Sequence, residues 1–173
     1  MNRADALFAG WEDTLIRSAL QGLMGRVRTE GNAAIAMVGD FALLAGDGSS
    51  PEALGLLYDL ARERKDGYLI LTPDGPSWDA GIMLAFPSAQ ASVRYAIKKE
   101  ANVFDRERLT ALARALPPEI TLAPIDGQRY DQVMESDWCR DFCALFGSKE
   151  DYRQNGLGFV ALQNGEIVGG ASS

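Results

Sequence analysis

Along this chain the apolar residues repeatedly change their spacing, about four apart in some stretches and two apart in others. No other feature constrains the fold more tightly. A spacing near 3.6 buries one face of a helix and a spacing of 2 buries one face of a strand. A chain that alternates between them packs helices on a sheet. The expected class is α/β (α+β), with mixed, largely antiparallel sheets flanked by helices. With 47% apolar residues, the 173-residue chain is long enough to bury a sizeable core.

Read from its start, the chain places Leu7, Trp11, Leu15, Ala19 and Leu23 on one stripe, predicting a helix over 6–23 that stops at Gly25. Ala33 to Val38 and Phe41 to Ala45 are apolar runs joined at Gly39-Asp40, a pair suited to a two-residue hairpin turn. Asp40 is read as a turn residue rather than a catalytic carboxylate. Ser49-Ser50-Pro51-Glu52 combines a capping serine with proline at the first helical position and predicts a helix to about Lys65. Tyr68 to Leu71 reads as a buried strand, Thr72 to Pro76 as a loop, and Trp78 to Phe86 as a short helix turning Trp78, Ile82 and Phe86 inward. Val93, Tyr95 and Ile97 alternate with polar or small neighbours as in a half-buried strand, and Asp105 to Leu116 has the stripe of a helix.

Pro117-Pro118 ends that helix and is the natural boundary, giving an N-terminal region over 1–118 and a second over 119–173. The second region predicts a strand over Ile120 to Ile125, a helix near Tyr130 to Met134 and a further helix from Trp138 to Phe146. A hairpin follows, in which Asn164-Gly165 joins Phe159 to Gln163 with Glu166 to Val168. Beyond it, Ile167 to Ser173 reads as an unpaired apolar edge, so the sheet is expected to lack later strands and the terminus to self-associate or fray.

Charge and composition exclude several roles. Against 24 acidic residues stand 17 Lys plus Arg, a net charge of −7 that disfavours nucleic acid and anionic membrane surfaces. No apolar run approaches the roughly 20 residues of a membrane helix. No secretory leader is visible, so the chain is expected to be cytoplasmic. Cys139 and Cys143, four apart, read as two thiols on one helix face. The absence of histidine removes both the commonest zinc ligand and the usual general base, so no metal is expected and no catalytic residue is singled out.

The order strand, two helices, hairpin, with the hairpin reading GFVALQNGEIVGGASS, resembles the opening of a GNAT-type N-acetyltransferase domain. Gly39-Asp40-Phe41, the run Arg94 to Glu100 and Phe104-Asp105 are similar to the N-terminal region of the bacterial zwittermicin A resistance type. The resemblance implies transfer of an acetyl group from acetyl-CoA to a small-molecule or peptide amine. It also implies a loop of the form Arg/Gln-x-x-Gly-x-Gly/Ala that presents backbone N–H groups to the cofactor's diphosphate. Arg153 to Gly158 and Arg28 to Ala33 match that loop literally, yet both are read as leaving a helix and opening a strand, the reverse of a phosphate cradle. In the family that loop and the strand before it come late in the domain, so the resemblance implies that 119–173 is the first half of a truncated domain, expected to lack the acetyl-CoA site and to be inactive as it stands.

In the family, the turn and helices after the first strand flank the acceptor. This makes Glu135, Asp137 and Trp138, with Ser136, the candidate substrate residues. The bland alternative is that Ser136 or Asp137 caps the next helix and Trp138 covers core. Arg94, Lys98 and Lys99 could pair with an anion, but an exposed charged face needs no ligand. The rival to an enzyme is a non-catalytic module that uses the exposed sheet edge to recruit a protein or a second copy.

Overall fold

The computed structural model describes residues 2–64, 68–95 and 100–173, and these fall into two compact units, 1–90 with 145–155 and 91–144 with 156–173. The first unit is built on a four-stranded sheet in the order β1-β2-β3-β4, formed by Arg26–Glu30, Ala33–Val38, Phe41–Gly46 and Ile70–Pro73. The first three strands are antiparallel, and β4 returns parallel to β3 after helix α3, Pro51–Glu63.

Every residue of β2 is buried, because both faces of the sheet are covered. Ala33, Ile35, Met37, Ala42 and Leu44 meet Leu56, Leu57 and Leu60 of α3 together with Trp78. Ala34, Ala36, Val38, Leu43 and Ala45 meet Phe8, Ile16 and Ala19 of the N-terminal segment. The period-2 alternation thus feeds two cores. The turn between β2 and β3 is the expected one, with Gly39 at φ 58°. Ser50 caps α3 through its hydroxyl, which accepts from the Ala53 N–H at 3.2 Å. Trp78 is fully buried and donates its indole N–H to Asp74 at 3.0 Å; it ends a 3-10 turn that leads into α4, Asp79–Ala85.

Three expectations need correction here. The helix read over 6–23 is two helices, α1 over Arg3–Leu7 and α2 over Thr14–Leu20. Asp13 accepts the Leu15 N–H at 2.9 Å and starts a new helix within the continuous stripe. The stretch Arg28 to Ala33 leaves strand β1 rather than a helix, and Gly31-Asn32 is the hairpin turn into β2, with Gly31 at φ 51°. Polar β1 is tied to α3 by ion pairs from Arg26 and Arg28 to Glu63, and the hydrogen bond from Arg28, joined by Arg26, holds the Glu63 carboxyl below its ordinary range. Tyr68 is exposed, and the half-buried strand β4 begins at Ile70 and runs through Thr72 to Pro73.

In the second unit, β5 over Ile120–Pro124, β6 over Gly158–Gln163 and β7 over Glu166–Ser172 form an antiparallel sheet in that order. The Asn164-Gly165 turn carries φ 54° and 86°, the two positive values that its twist requires. Strand β7 is paired with β6 along its length, and Ser173 exchanges backbone hydrogen bonds with Leu157 at 2.8 and 2.9 Å, so on this side the terminus is neither unpaired nor frayed. Residues 91–95 form no strand, and Val93 and Tyr95 are exposed; Ile97 lies outside the described residues. Alternation alone, without a partner strand, does not make a ladder. Helix α5, Arg106–Arg114, forms as read from the Asp105 cap, but it buries none of its residues and leaves Leu109 and Leu112 exposed.

Gly25 has φ 73°, and a Cβ there would lie 1.9 Å from the Met37 carbonyl oxygen, whereas at Gly10 nothing lies within 4 Å. Gly25→Ala is therefore expected to cost about 2 kcal/mol or more in urea unfolding. Gly10→Ala should stay within about 0.5 kcal/mol of the parent.

Candidate functional site

The segment from Asp126 to Phe142 carries the candidate residues, and its geometry starts with a cap. Asp126 accepts the Arg129 N–H at 3.0 Å and opens α6, Gly127–Glu135, which turns Tyr130 and Val133 inward. Glu135 ends the helix on an exposed position, and Ser136 leaves the helical conformation at φ −89°, ψ 130°. The Ser136 carbonyl accepts the Arg140 N–H at 3.2 Å, while the Arg140 guanidinium donates to the Met134 carbonyl at 3.4 Å. The bend after α6 is thus closed by backbone and Arg140 contacts.

The second helix expected over Trp138 to Phe146 is replaced by a single 3-10 turn, Arg140–Phe142, and no Ser136 or Asp137 side chain caps it. Cys139 and Cys143 flank this turn, both fully buried and unbridged, and the Cys139 thiol faces the Val133 carbonyl at 3.9 Å. The helix that Arg153 was read as leaving is α7, Lys149–Asn155; its Glu150 carboxyl is held at about 2 by hydrogen bonds from Arg153 and then Gln154.

Just before the first buried thiol the chain turns one aromatic side chain outward. Trp138 is 56% exposed and meets Phe142 edge to face, with centroids 6.0 Å apart and planes at 84°. Asp137 and Glu135 are exposed on the same bend. The structure brings all three predicted residues onto one short segment and adds Phe142, which sequence reading had assigned to a helix. The spacing Trp138 to Phe142 was the available signal, since residues four apart face each other across one turn. An indole face beside carboxylates is chemically suited to an ammonium group, by ring quadrupole and by charge.

The remaining candidates are arranged differently. Arg94 is exposed, and Lys98 and Lys99 lie outside the described residues. Asp40 sits in the β2–β3 turn and pairs with Arg64 at 3.2 Å. Among the described residues, no group of three or more His, Cys, Asp or Glu is placed to hold a metal ion, and no helix is long and apolar enough to cross a membrane.

Three loops can be compared with a coenzyme diphosphate cradle, and none of the three has the geometry of one. Arg153 to Gly158 leaves α7 and enters β6, and the other literal match joins two strands. The loop between β3 and α3 has the strand-to-helix order, but its N–H groups are taken. Gly46 donates to Asp74 at 2.7 Å, Gly48 to Ser77 at 3.2 Å and Ser49 to Asp47 at 3.1 Å. A phosphate there would also meet two aspartates.

A family model described as GNAT acetyltransferase matches residues 5–173. A GCN5-related N-acetyltransferase-like protein of Streptococcus suis, known from a crystal structure, is similar at a TM-score of 0.81 and 30% identity, over 99% of this chain and 68% of that one. No curated protein matches the sequence.

The Asp126 cap gives the site an acid limb. The Arg129 N–H, helped by the Arg129 charge, holds the Asp126 carboxyl below its ordinary 3.8. A carboxyl depressed on folding stabilises fully above that ordinary value and loses the contribution as pH falls through the folded one. The advantage of the parent over Asp126→Asn in urea midpoint is therefore expected to be constant at about pH 6 and to shrink towards about pH 2.5. A difference that does not change with pH would contradict this.

Proposed function

The chain belongs to the GNAT acetyltransferase family, and from that premise we propose that it transfers an acetyl group from acetyl-CoA to a small-molecule or peptide amine, with Glu135, Asp137 and Trp138 lining the side where the amine docks. The observation that carries the reading is the 56% exposed indole of Trp138, braced by Phe142 on the bend that also exposes two carboxylates. Soluble proteins hide most tryptophan surface, and an indole left open beside acidic groups is a recognition surface for a cation.

The acceptor arrives as an ammonium. The carboxylates draw it in and the indole orients its carbon chain; acetyl transfer would then require the ammonium to give a proton to water, the freed lone pair to attack the thioester carbonyl and coenzyme A to leave as its thiol. The net charge of −7 favours the same class of substrate at longer range. Within the family, the runs Gly39 to Phe41 and Arg94 to Glu100 support a zwittermicin A resistance-like branch. Two unbridged thiols support a reducing, cytoplasmic location.

The test is acetylation of a panel of primary amines and amine-bearing peptides in the presence of acetyl-CoA, read by mass spectrometry. An acetylated product is expected, with Trp138→Ala raising KM for the amine about three- to fivefold at little change in kcat, the size of one exposed cation–π contact. No acetylated product from any acceptor would refute the reading.

A further inference from the structure

An indole that is more than half exposed is held by few neighbours, so what fixes its orientation matters to any ligand that uses it. Its ring contact is Phe142, at 6.0 Å and 84°. Phe142 is in turn seated on β7. A Cβ built on Gly170 would lie 2.6 Å from one edge carbon of the Phe142 ring, Cε2, and 3.3 Å from Cδ2, so only a glycine lets that ring rest on the strand. The neighbouring Gly169 makes no such demand, since its Cβ would meet only Ala161 at an ordinary 3.7 Å. A glycine within a strand that admits a ring this closely marks an approach needed by something beyond the sheet. Cys143, next in the chain, is fully buried.

We propose that Phe142 is a positioning residue for the acceptor amine: its ring, seated on Gly170 of β7, sets the orientation of the Trp138 indole. This rests on the reading that Trp138 takes part in acceptor docking. It adds that the sheet determines the indole's pose through one intervening ring, so acceptor affinity depends on a residue that does not touch the acceptor. Gly170 itself is a poor probe, because a Cβ there would also crowd the Phe159 carbonyl oxygen at 2.8 Å. Phe142 is the better one: leucine keeps apolar cover over the glycine and removes the edge-to-face pair, while tyrosine keeps the pair.

The experiment uses the protein labelled with 5-fluorotryptophan, whose three indoles, Trp11, Trp78 and Trp138, give three fluorine resonances. The Trp138 signal is assigned by its loss in Trp138→Phe. Phe142→Leu is expected to move the Trp138 resonance and leave that of buried Trp78 in place, which also shows that the variant is folded. It should raise KM for the amine about three- to tenfold, the range of one aromatic pair, at nearly unchanged kcat. Phe142→Tyr should restore both. An unmoved Trp138 resonance in Phe142→Leu would overturn the proposal. So would an unchanged KM in Phe142→Leu where Trp138→Ala raises it. If Trp138→Ala itself leaves KM unchanged, the docking role of Trp138 fails first and the positioning role falls with it, a pattern distinct from the failure of Phe142 alone.

Discussion

A strand with no exposed residue must be covered on both faces, and that requirement organises the first unit. Strand β2 meets it by sending alternate side chains to opposite layers: Ile35 and Met37 to α3, Ala34, Ala36 and Val38 to the N-terminal helices. The alanines let the helical layers approach closely, and the larger residues of the helices fill the space they leave. The loops then follow. Gly46 and Gly48 tie the end of β3 to Asp74 and Ser77, beside the Trp78 that closes one core. A loop so committed to its own hydrogen bonds serves the fold, although its strand-to-helix order would suit an anion.

In the second unit, close approach between elements has the same organising role and bears on function. Gly170 leaves room for the Phe142 ring, the ring braces Trp138, and two buried cysteines hold the bend that presents the indole beside Glu135 and Asp137. On the proposed reading, this face would select by charge and shape together. Carboxylates recruit any cation, whereas an oriented indole favours one whose carbon chain lies along its face.

What the sequence disclosed and what it hid follow from how local each determinant is. The turns at Gly39-Asp40 and Asn164-Gly165, the Ser50 cap and the helix starting at Asp105 are set by a few adjacent residues, and all were legible. The break before α2 was not, because Trp11 and Leu15 continue the stripe across it and only the Asp13 cap marks the new start. Strand β1 was missed because its residues are largely polar and its place is fixed by pairing with β2 and by Glu63. The 3-10 turn at 140–142 was taken for a helix because Trp138 and Phe142, like Cys139 and Cys143, are spaced four apart as on one helix face. Glu135, Asp137 and Trp138 were proposed as acceptor residues from the family resemblance alone. The contact of Phe142 with Gly170 was not legible, since the two are distant in the chain.

The central claim is that an amine acceptor lies against the Trp138 indole. Intermolecular nuclear Overhauser effects between the methylene protons next to the ammonium of a bound amine and the indole ring protons test it most directly. The account predicts cross-peaks to the Trp138 ring. Saturable binding of the amine with cross-peaks to other residues and none to Trp138 would contradict it.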